Sequence, residues 1–251
     1  MTVVMPEAPV LTTVGEGSVV LLLENARLRE EVAELRRTQV AVAAARQETE
    51  AAFMISVTLL AKAAELHDEE TGNHILRVNS YAETLSRRLG MPAAFCQEIG
   101  YSAALHDIGK MSVDAALLKK TGPLTPAERR EMERHTEYGY AILRQSERLA
   151  MAADIAHCHH ERWDGTGYPR RLAGEAIPVP ARIVALADIY DALRSPRPYK
   201  TGLNHDAVRE RLIRMDGHFD PLMIAAFADH HRDFEDIYGA LVDDRGRPRI
   251  A

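Results

Sequence analysis

No segment of this 251-residue chain sustains a two-residue alternation of apolar and polar side chains. That alternation is what lets a strand put one face on a core and the other in water, so its absence predicts an all-α fold. Helical stripes take its place. Residues 74–89 carry Ile75, Val78, Tyr81, Ala82 and Leu85 on one face and stop at Gly90. A second helix is expected from about 93 to 106, stopping around Gly109. Thr125 with Glu128 three residues on forms a capping box that opens the helix carrying His135. Further helices are expected over 149–160, 181–193 and 206–215. A last one opens with Asp220 as N-cap and Pro221 in its first position, and ends near Tyr238.

One long segment breaks the helical pattern. Between 161 and 180 the turn formers Asp164-Gly165, Gly167, Pro169, Gly174, Pro178 and Pro180 follow closely on one another. A long ordered loop inside a compact domain is usually functional. Trp163 and Tyr168 are expected to pin it by burying their rings.

The N-terminal part follows a different period. After a loose leader over 1–17, the heptad positions d hold Leu21, Leu28, Leu35 and Val42, and Asn25 and Val32 occupy a. Glu24 and Glu31 fall on g, Arg29 and Arg36 on e, which sets opposite charges across a parallel two-stranded seam. Gln39 and Arg46 then weaken the a positions until Phe53. Residues 18–52 are therefore expected to be a coiled-coil helix that makes the protein a homodimer. The main domain spans 53–240, and a frayed tail covers 241–251.

With 46% hydrophobic residues the chain can bury one sizeable core and carry this appended helix. A net charge of −6 speaks against bulk nucleic-acid binding, so any anionic ligand must be held by local Lys and Arg or by metal ions. Two cysteines, Cys96 and Cys158, offer no disulfide framework and fit a reducing cytoplasm. Cys158 precedes His159 but reads as a buried thiol. The apolar run at 19–23 is too short for a secretion signal or a membrane span, so a cytoplasmic location without a membrane partner is expected.

The chemistry gathers around Leu105-His106-Asp107-Ile108-Gly109-Lys110. An imidazole beside a carboxylate suits borderline or hard divalent ions such as iron, manganese or zinc. One such pair is weak evidence alone. Here Glu70 stands four residues before His74, and His135, the pair His159-His160 and Asp188 follow, enough to surround more than one ion. No Gly-x-Ser-x-Gly elbow is present to supply a serine nucleophile.

In the same order these motifs resemble those of the HD-GYP domain, the branch of HD-type metal-dependent phosphohydrolases associated with hydrolysis of cyclic di-GMP. The resemblance runs from about Ala61 to Phe227. It passes through Glu70-Thr-Gly-Asn-His74, His106-Asp107-Ile-Gly-Lys110, His135, His159-His160-Glu161-Arg162-Trp163-Asp164-Gly165, Gly167-Tyr168-Pro169, Asp188 to Leu193 and Arg197-Pro-Tyr-Lys200. It implies an HD-type helical bundle behind the coiled-coil helix. It also implies metal ligation by Glu70, His74, His106, Asp107, His135, His159, His160 and Asp188, with Asp107 bridging the ions. Iron or manganese is the family's usual metal, and a glutamate at Glu70 accompanies sites able to hold three ions where those lacking it hold two, so two or three ions are expected. By the same resemblance Asp107 and Lys110 serve catalysis, Lys110 reaches the bound phosphate, and Arg197 and Lys200 hold the dinucleotide. The departures are His67 in place of arginine, Asp114-Ala115 in place of Pro-Asp, and Lys120-Thr121-Gly122 in place of Lys-Pro-Gly. None of them removes a ligand.

The implied activity is physically coherent. A phosphodiester's oxygens repel an incoming hydroxide, and paired cations about 3.5–4 Å apart neutralise that charge and lower the pKa of water. Lys110 suits a non-bridging oxygen or the departing 3′-oxygen. The expected products are linear pGpG and, beyond it, GMP. Two alternatives stand beside this reading: a signalling module that binds cyclic dinucleotide or partner proteins with little turnover, and a phosphodiesterase for another cyclic dinucleotide such as cyclic GMP-AMP. A complete ligand set favours the enzyme.

Overall fold

The computed structural model describes residues 15–68, 73–196 and 201–241, and among the described residues there is no strand. The all-α expectation holds. The chain divides into two units between Phe53 and Met54. Helix α1 (Glu16–Asp68) runs through that division. In the first unit the heptad residues Leu21, Leu28, Val32, Leu35 and Val42 are all exposed. No helix among the described residues is long and apolar enough to cross a membrane.

In the second unit Val57, Ala61 and Ala64 of α1 are buried. Helix α2 (His74–Arg88) buries the expected stripe, Ile75, Val78, Tyr81, Ala82 and Leu85. It lies against α3 (Ala93–Ser102), α8 (Val179–Arg194) and α10 (Pro221–Ala240). Four aromatic rings join α2, α8 and α10. Tyr81 stacks on Phe234 with centroids 4.8 Å apart, and Tyr190 meets Tyr81, Phe227 and Phe234 edge-on. Helix α9 (His205–Ile213) closes the core with Val208 and Leu212. His74 at the start of α2 and Asp188 on α8 thus stand on helices whose buried faces are packed into the main core.

Several helix boundaries differ from the sequence expectation, and one difference matters for function. The helix expected over 93–106 ends as α-helix at Ser102 and continues as a 3₁₀ turn over Ala103–Leu105, with a second 3₁₀ segment at Ile108–Ser112. Apolar periodicity does not separate the two helix types over three residues. The tighter turn advances each side chain by about 120° rather than about 100°, which rotates His106 and Asp107 relative to a continuous α-helix. Likewise, the capping box opens α5 (Pro126–Glu133), but His135 begins a separate helix, α6 (His135–Leu143), after a break at Arg134. The short α4 (Ala115–Leu118) precedes them, capped by Asp114. Helix α7 (Ala150–Cys158) stops before the two histidines rather than including them.

The capping box yields a pH prediction. Glu128 accepts from Lys120 and from the Thr125 N–H, and these bonds hold its carboxyl at about 2, below the ordinary glutamate value. A depressed folded-state pKa contributes stability that is present above the unfolded value and lost as pH falls through the folded one. The protection factors of the Thr125 and Glu128 amides, with exchange corrected for the rate of an unstructured chain at each pH, are therefore expected to fall as pH is lowered from about 4.5 toward about 2, and in Glu128→Gln to lose that pH dependence.

Candidate metal centre

Each of three histidines is aimed by its own helix turn. Nδ1 of His106 lies 2.9 Å from the carbonyl oxygen of Ala103, Nδ1 of His135 lies 2.7 Å from that of Met132, and Nδ1 of His159 lies 3.0 Å from that of Ile155. A carbonyl oxygen cannot donate, so Nδ1 carries the proton and the Nε2 lone pair faces inward. His74, at the first turn of α2, places Nδ1 2.9 Å from the Asp191 carboxylate instead. The burial of these four rings leaves Nε2 of His106, His135 and His159, and Oδ1 of Asp107, without a hydrogen-bond partner.

Asp107 joins the ring atoms. Its Oδ2 is 3.3 Å from Nε2 of His106 and its Oδ1 is 3.3 Å from Nε2 of His135 and 3.6 Å from Nε2 of His159. Two groups result, in each of which one ligand atom per residue lies within 4.8 Å of the others: Asp107, His135, His159 and His160, and beside them His74, His106 and Asp188. Asp188 Oδ1 is 3.7 Å from Nε2 of His74 and 3.9 Å from Nε2 of His106. Convergent buried lone pairs that no protein donor satisfies are what a bound cation requires, so these residues fit divalent metal ions. The set of imidazole nitrogen and carboxylate oxygen suits transition metals.

The electrostatics agree. Burial, with His159 and His135 adjacent, pushes His160 well below the ordinary imidazole value, and burial takes His135 down to about 4, so both rings are neutral at neutral pH. His106 moves the other way: burial opposes its charge, but Asp107 outweighs burial and raises it. For Asp107 itself burial opposes ionisation, yet Lys110 and His106 hold the carboxyl well below the usual carboxylate range. Lys110 Nζ sits 2.8 Å from Asp107 Oδ2. Four buried histidines thus form the floor, and Asp107, Lys110, His160 and Asp188 form a half-exposed rim from which a ligand can approach.

Of the residues singled out in the sequence, His74, His106, Asp107, Lys110, His135, His159, His160 and Asp188 come together here. Glu70, Arg197 and Lys200 lie outside the described residues, as do 1–14 and 242–251. Cys158 is a buried thiol outside both groups, pushed up to about 12 by burial. The turn-rich loop is pinned differently from the expectation. Trp163 and Tyr168 are half-buried rather than buried. Tyr168 stacks on His160 at 4.7 Å and Trp163 lies under the Arg182 guanidinium, so a polar neighbour covers one face of each ring. The buried anchor is Glu161, which accepts from the backbone N–H groups of Arg170 and Leu172. Gly167 is required beside it, because a Cβ there would stand 2.4 Å from the Arg162 nitrogen.

A family model described as an HD domain matches residues 58–223. This chain belongs to the HD domain family. The motif order is that of the HD-GYP branch of HD domains, with Gly167-Tyr168-Pro169 intact. A "3'3'-cGAMP-specific phosphodiesterase 2" of Vibrio cholerae is 40% identical over 187 residues, covering 73% of this chain and 36% of the relative. A "Cyclic di-GMP phosphodiesterase" of the same organism is 41% identical over 189 residues, covering 69% of this chain and 38% of the relative. The HD chain therefore spans well under half the length of these curated relatives. A crystal structure of a cyclic GMP-AMP specific phosphodiesterase from V. cholerae shares the fold with a TM-score of 0.53 at 16% identity, over 75% of this chain and 51% of that one.

The sequence reading missed Arg77, Asp191 and Glu161 as parts of this HD site. Arg77 donates to Asp191 through Nε at 2.6 Å and Nη2 at 2.8 Å, both residues being buried. Burial opposes the Asp191 charge, but the bonds from Arg77 and His74 outweigh it and set the carboxyl at about 2. A signal was present: Arg77 follows His74, and Asp191 follows Asp188, by three residues, the spacing that shares a helix face.

Proposed function

We propose that this HD domain is a metal-dependent phosphodiesterase that opens cyclic di-GMP to linear pGpG, with GMP as the candidate end product. The observation that carries the reading is the convergence of five imidazoles and two carboxylates in two adjacent ligand groups, with a half-exposed rim. The relatives at 40% and 41% identity, named for two different cyclic dinucleotides, support the reaction class. When bound, two divalent cations neutralise phosphate charge and lower the pKa of water so that a nucleophile forms near neutral pH. We assign iron or manganese to the site, and Glu70 as the further ligand that admits a third ion, so Glu70→Ala loses chiefly one ion.

The protein's own groups do the rest. Asp107 stands between the two ligand groups and offers one oxygen to each, the disposition of a bridging carboxylate. Two carboxylates against two dications leave a positive centre, which suits a dianionic dinucleotide on an otherwise acidic chain. Lys110, on the rim beside Asp107, is placed to turn its ammonium to a phosphate oxygen and stabilise the charge that develops on the leaving oxygen. The buried floor excludes water from behind the imidazoles. Arg197 lies between Pro196 and Pro198, each of which fixes its own φ, and we assign Arg197 and Lys200 to gripping the phosphate and guanine end of the dinucleotide. Replacing both by alanine is expected to weaken dinucleotide binding at least about tenfold with metal content unchanged, as read by calorimetry at moderate salt.

The test is anaerobic metal analysis joined to chromatographic product identification. Two or three ions per chain and release of pGpG from cyclic di-GMP support the reading. A metal-loaded protein that binds cyclic di-GMP without turnover would make it a signalling module, and preferential cleavage of cyclic GMP-AMP would move it to the neighbouring substrate. We further propose a cytoplasmic homodimer joined by a parallel coiled coil over 18–52 and able to engage signalling proteins. The support is the exposed heptad stripe Leu21, Leu28, Val32, Leu35 and Val42. Light scattering is expected to give the mass of two chains, and Leu28→Glu with Leu35→Glu to give that of one.

A further inference from the structure

The histidines of the two ligand groups are not all aimed by the same means. His106, His135 and His159 are oriented by backbone carbonyls of their own turns. Nδ1 of His74 faces a side chain instead, Oδ2 of Asp191, at 2.9 Å. Asp191 is 1% exposed and Arg77 4%, so this carboxylate is out of water and depends on the guanidinium that grips both its oxygens. Ser195 completes the arrangement. Its Oγ accepts from Nη2 of Arg77 at 3.0 Å and lies 3.2 Å from Asp191 Oδ2, to which its hydroxyl donates. Neither Arg77 nor Asp191 is a member of either ligand group.

We propose that Arg77 and Asp191 are positioning residues for one half of the centre: Asp191 accepts the Nδ1 proton of His74, so that Nε2 presents its lone pair to the cation held with His106 and Asp188. The proposal rests on the reading of the cluster as a metal centre. Its reason is general: an imidazole ligates through one nitrogen when the other is fixed as a donor, and outer partners of this kind set ring orientation and tautomer. A backbone carbonyl does this for His106, His135 and His159 without any cost of burying charge. For His74, which opens α2, the acceptor must come from α8, and the buried Arg77–Asp191 pair supplies it. The same bidentate bond ties α2 to α8, so the spacing of His74 and Asp188 and the proton on His74 are governed together.

Asp191→Asn keeps the volume and removes one acceptor. Whichever way the amide turns, its NH₂ meets an N–H of Arg77, so the bidentate grip and the bond to His74 cannot both persist. Titrating the metal-free full chain with Zn(II), we expect wild type to take up at least two ions. In the variant the ion at His74, His106 and Asp188 should bind about 10–100-fold more weakly, while uptake by Asp107, His135, His159 and His160 is retained. The retained ion, with unchanged helical circular dichroism, reports that the fold is intact. If the variant loads every ion with wild-type affinity, the proposal is overturned. A measurement on the zinc-loaded wild-type chain needs no variant: the ¹⁵N–¹H spectrum should place the His74 proton on Nδ1, and a proton on Nε2 would refute the assignment even if Asp191→Asn fails to fold. A wild-type chain that takes up no zinc overturns the metal-centre reading beneath the proposal, a result distinct from the other two.

Discussion

Asp107→Ala is expected to lower cyclic dinucleotide turnover at least about a thousandfold and to reduce the metal content of the isolated chain. Asp107 is the residue whose two carboxylate oxygens face different histidines, Oδ2 toward His106 and Oδ1 toward His135 and His159. Removing it takes an anionic ligand from the Asp107, His135, His159 and His160 group and leaves three imidazoles to hold a dication. It also takes away the anion at 2.8 Å from the Lys110 ammonium, so the site has one negative charge fewer beside that ammonium and must still bind cations. Like charges repel, and the two losses act in the same direction. Metal analysis by emission spectroscopy and a product assay, with circular dichroism as the control for folding, check this outcome. Full turnover by metal-loaded Asp107→Ala protein would sink the proposed mechanism.

Gly109→Ala should damage the same site without touching a ligand. A Cβ at this position would stand 1.9 Å from the His135 carbonyl oxygen and 2.5 Å from the Gly139 nitrogen. Both are backbone atoms of α6, so no side-chain rotation relieves the clash. The 3₁₀ segment at Ile108–Ser112 and α6 must therefore separate. Overpacking of this kind typically costs about 1–3 kcal/mol and more where backbone must move, and we expect about 3 kcal/mol or more. In a domain of this size that lowers Tm by about 6–12 °C. The same displacement pulls Asp107 away from His135, now 3.3 Å apart, so metal retention is expected to fall as well. Thermal denaturation and metal analysis of one preparation test both effects. An unchanged Tm would show that the close approach of Gly109 to α6 does not hold the two elements together.

How much of this was legible beforehand can be traced residue by residue. The stripe from Ile75 to Leu85 was visible because burial of one helix face imposes its period on the sequence, and all five expected residues are buried. The caps of α5 and α10 were visible because Thr125 with Glu128, and Asp220 with Pro221, satisfy helix ends within four residues. The switch to 3₁₀ geometry after Ser102 was not, since a three-residue change of pitch leaves the apolar pattern unaltered. That polar neighbours, Arg182 and His160, cover the rings of Trp163 and Tyr168 was not legible, since aromatic character alone points to apolar burial and tertiary packing places those neighbours.

Within the candidate site the division is sharper. By itself the sequence determined which residue types were available for ligation and the helices that carry them, because ligand chemistry resides in the side chain and helical placement in local periodicity. It also determined the family, since the motifs lie in one order along the chain. Only the tertiary structure decided how the ligands divide into two groups, that Asp107 stands between them, and that His74 is aimed by Asp191 from 117 positions further along the chain. Those outcomes depend on distances between α2, α6, α7 and α8, which packing of the buried core sets and no local stretch of sequence encodes.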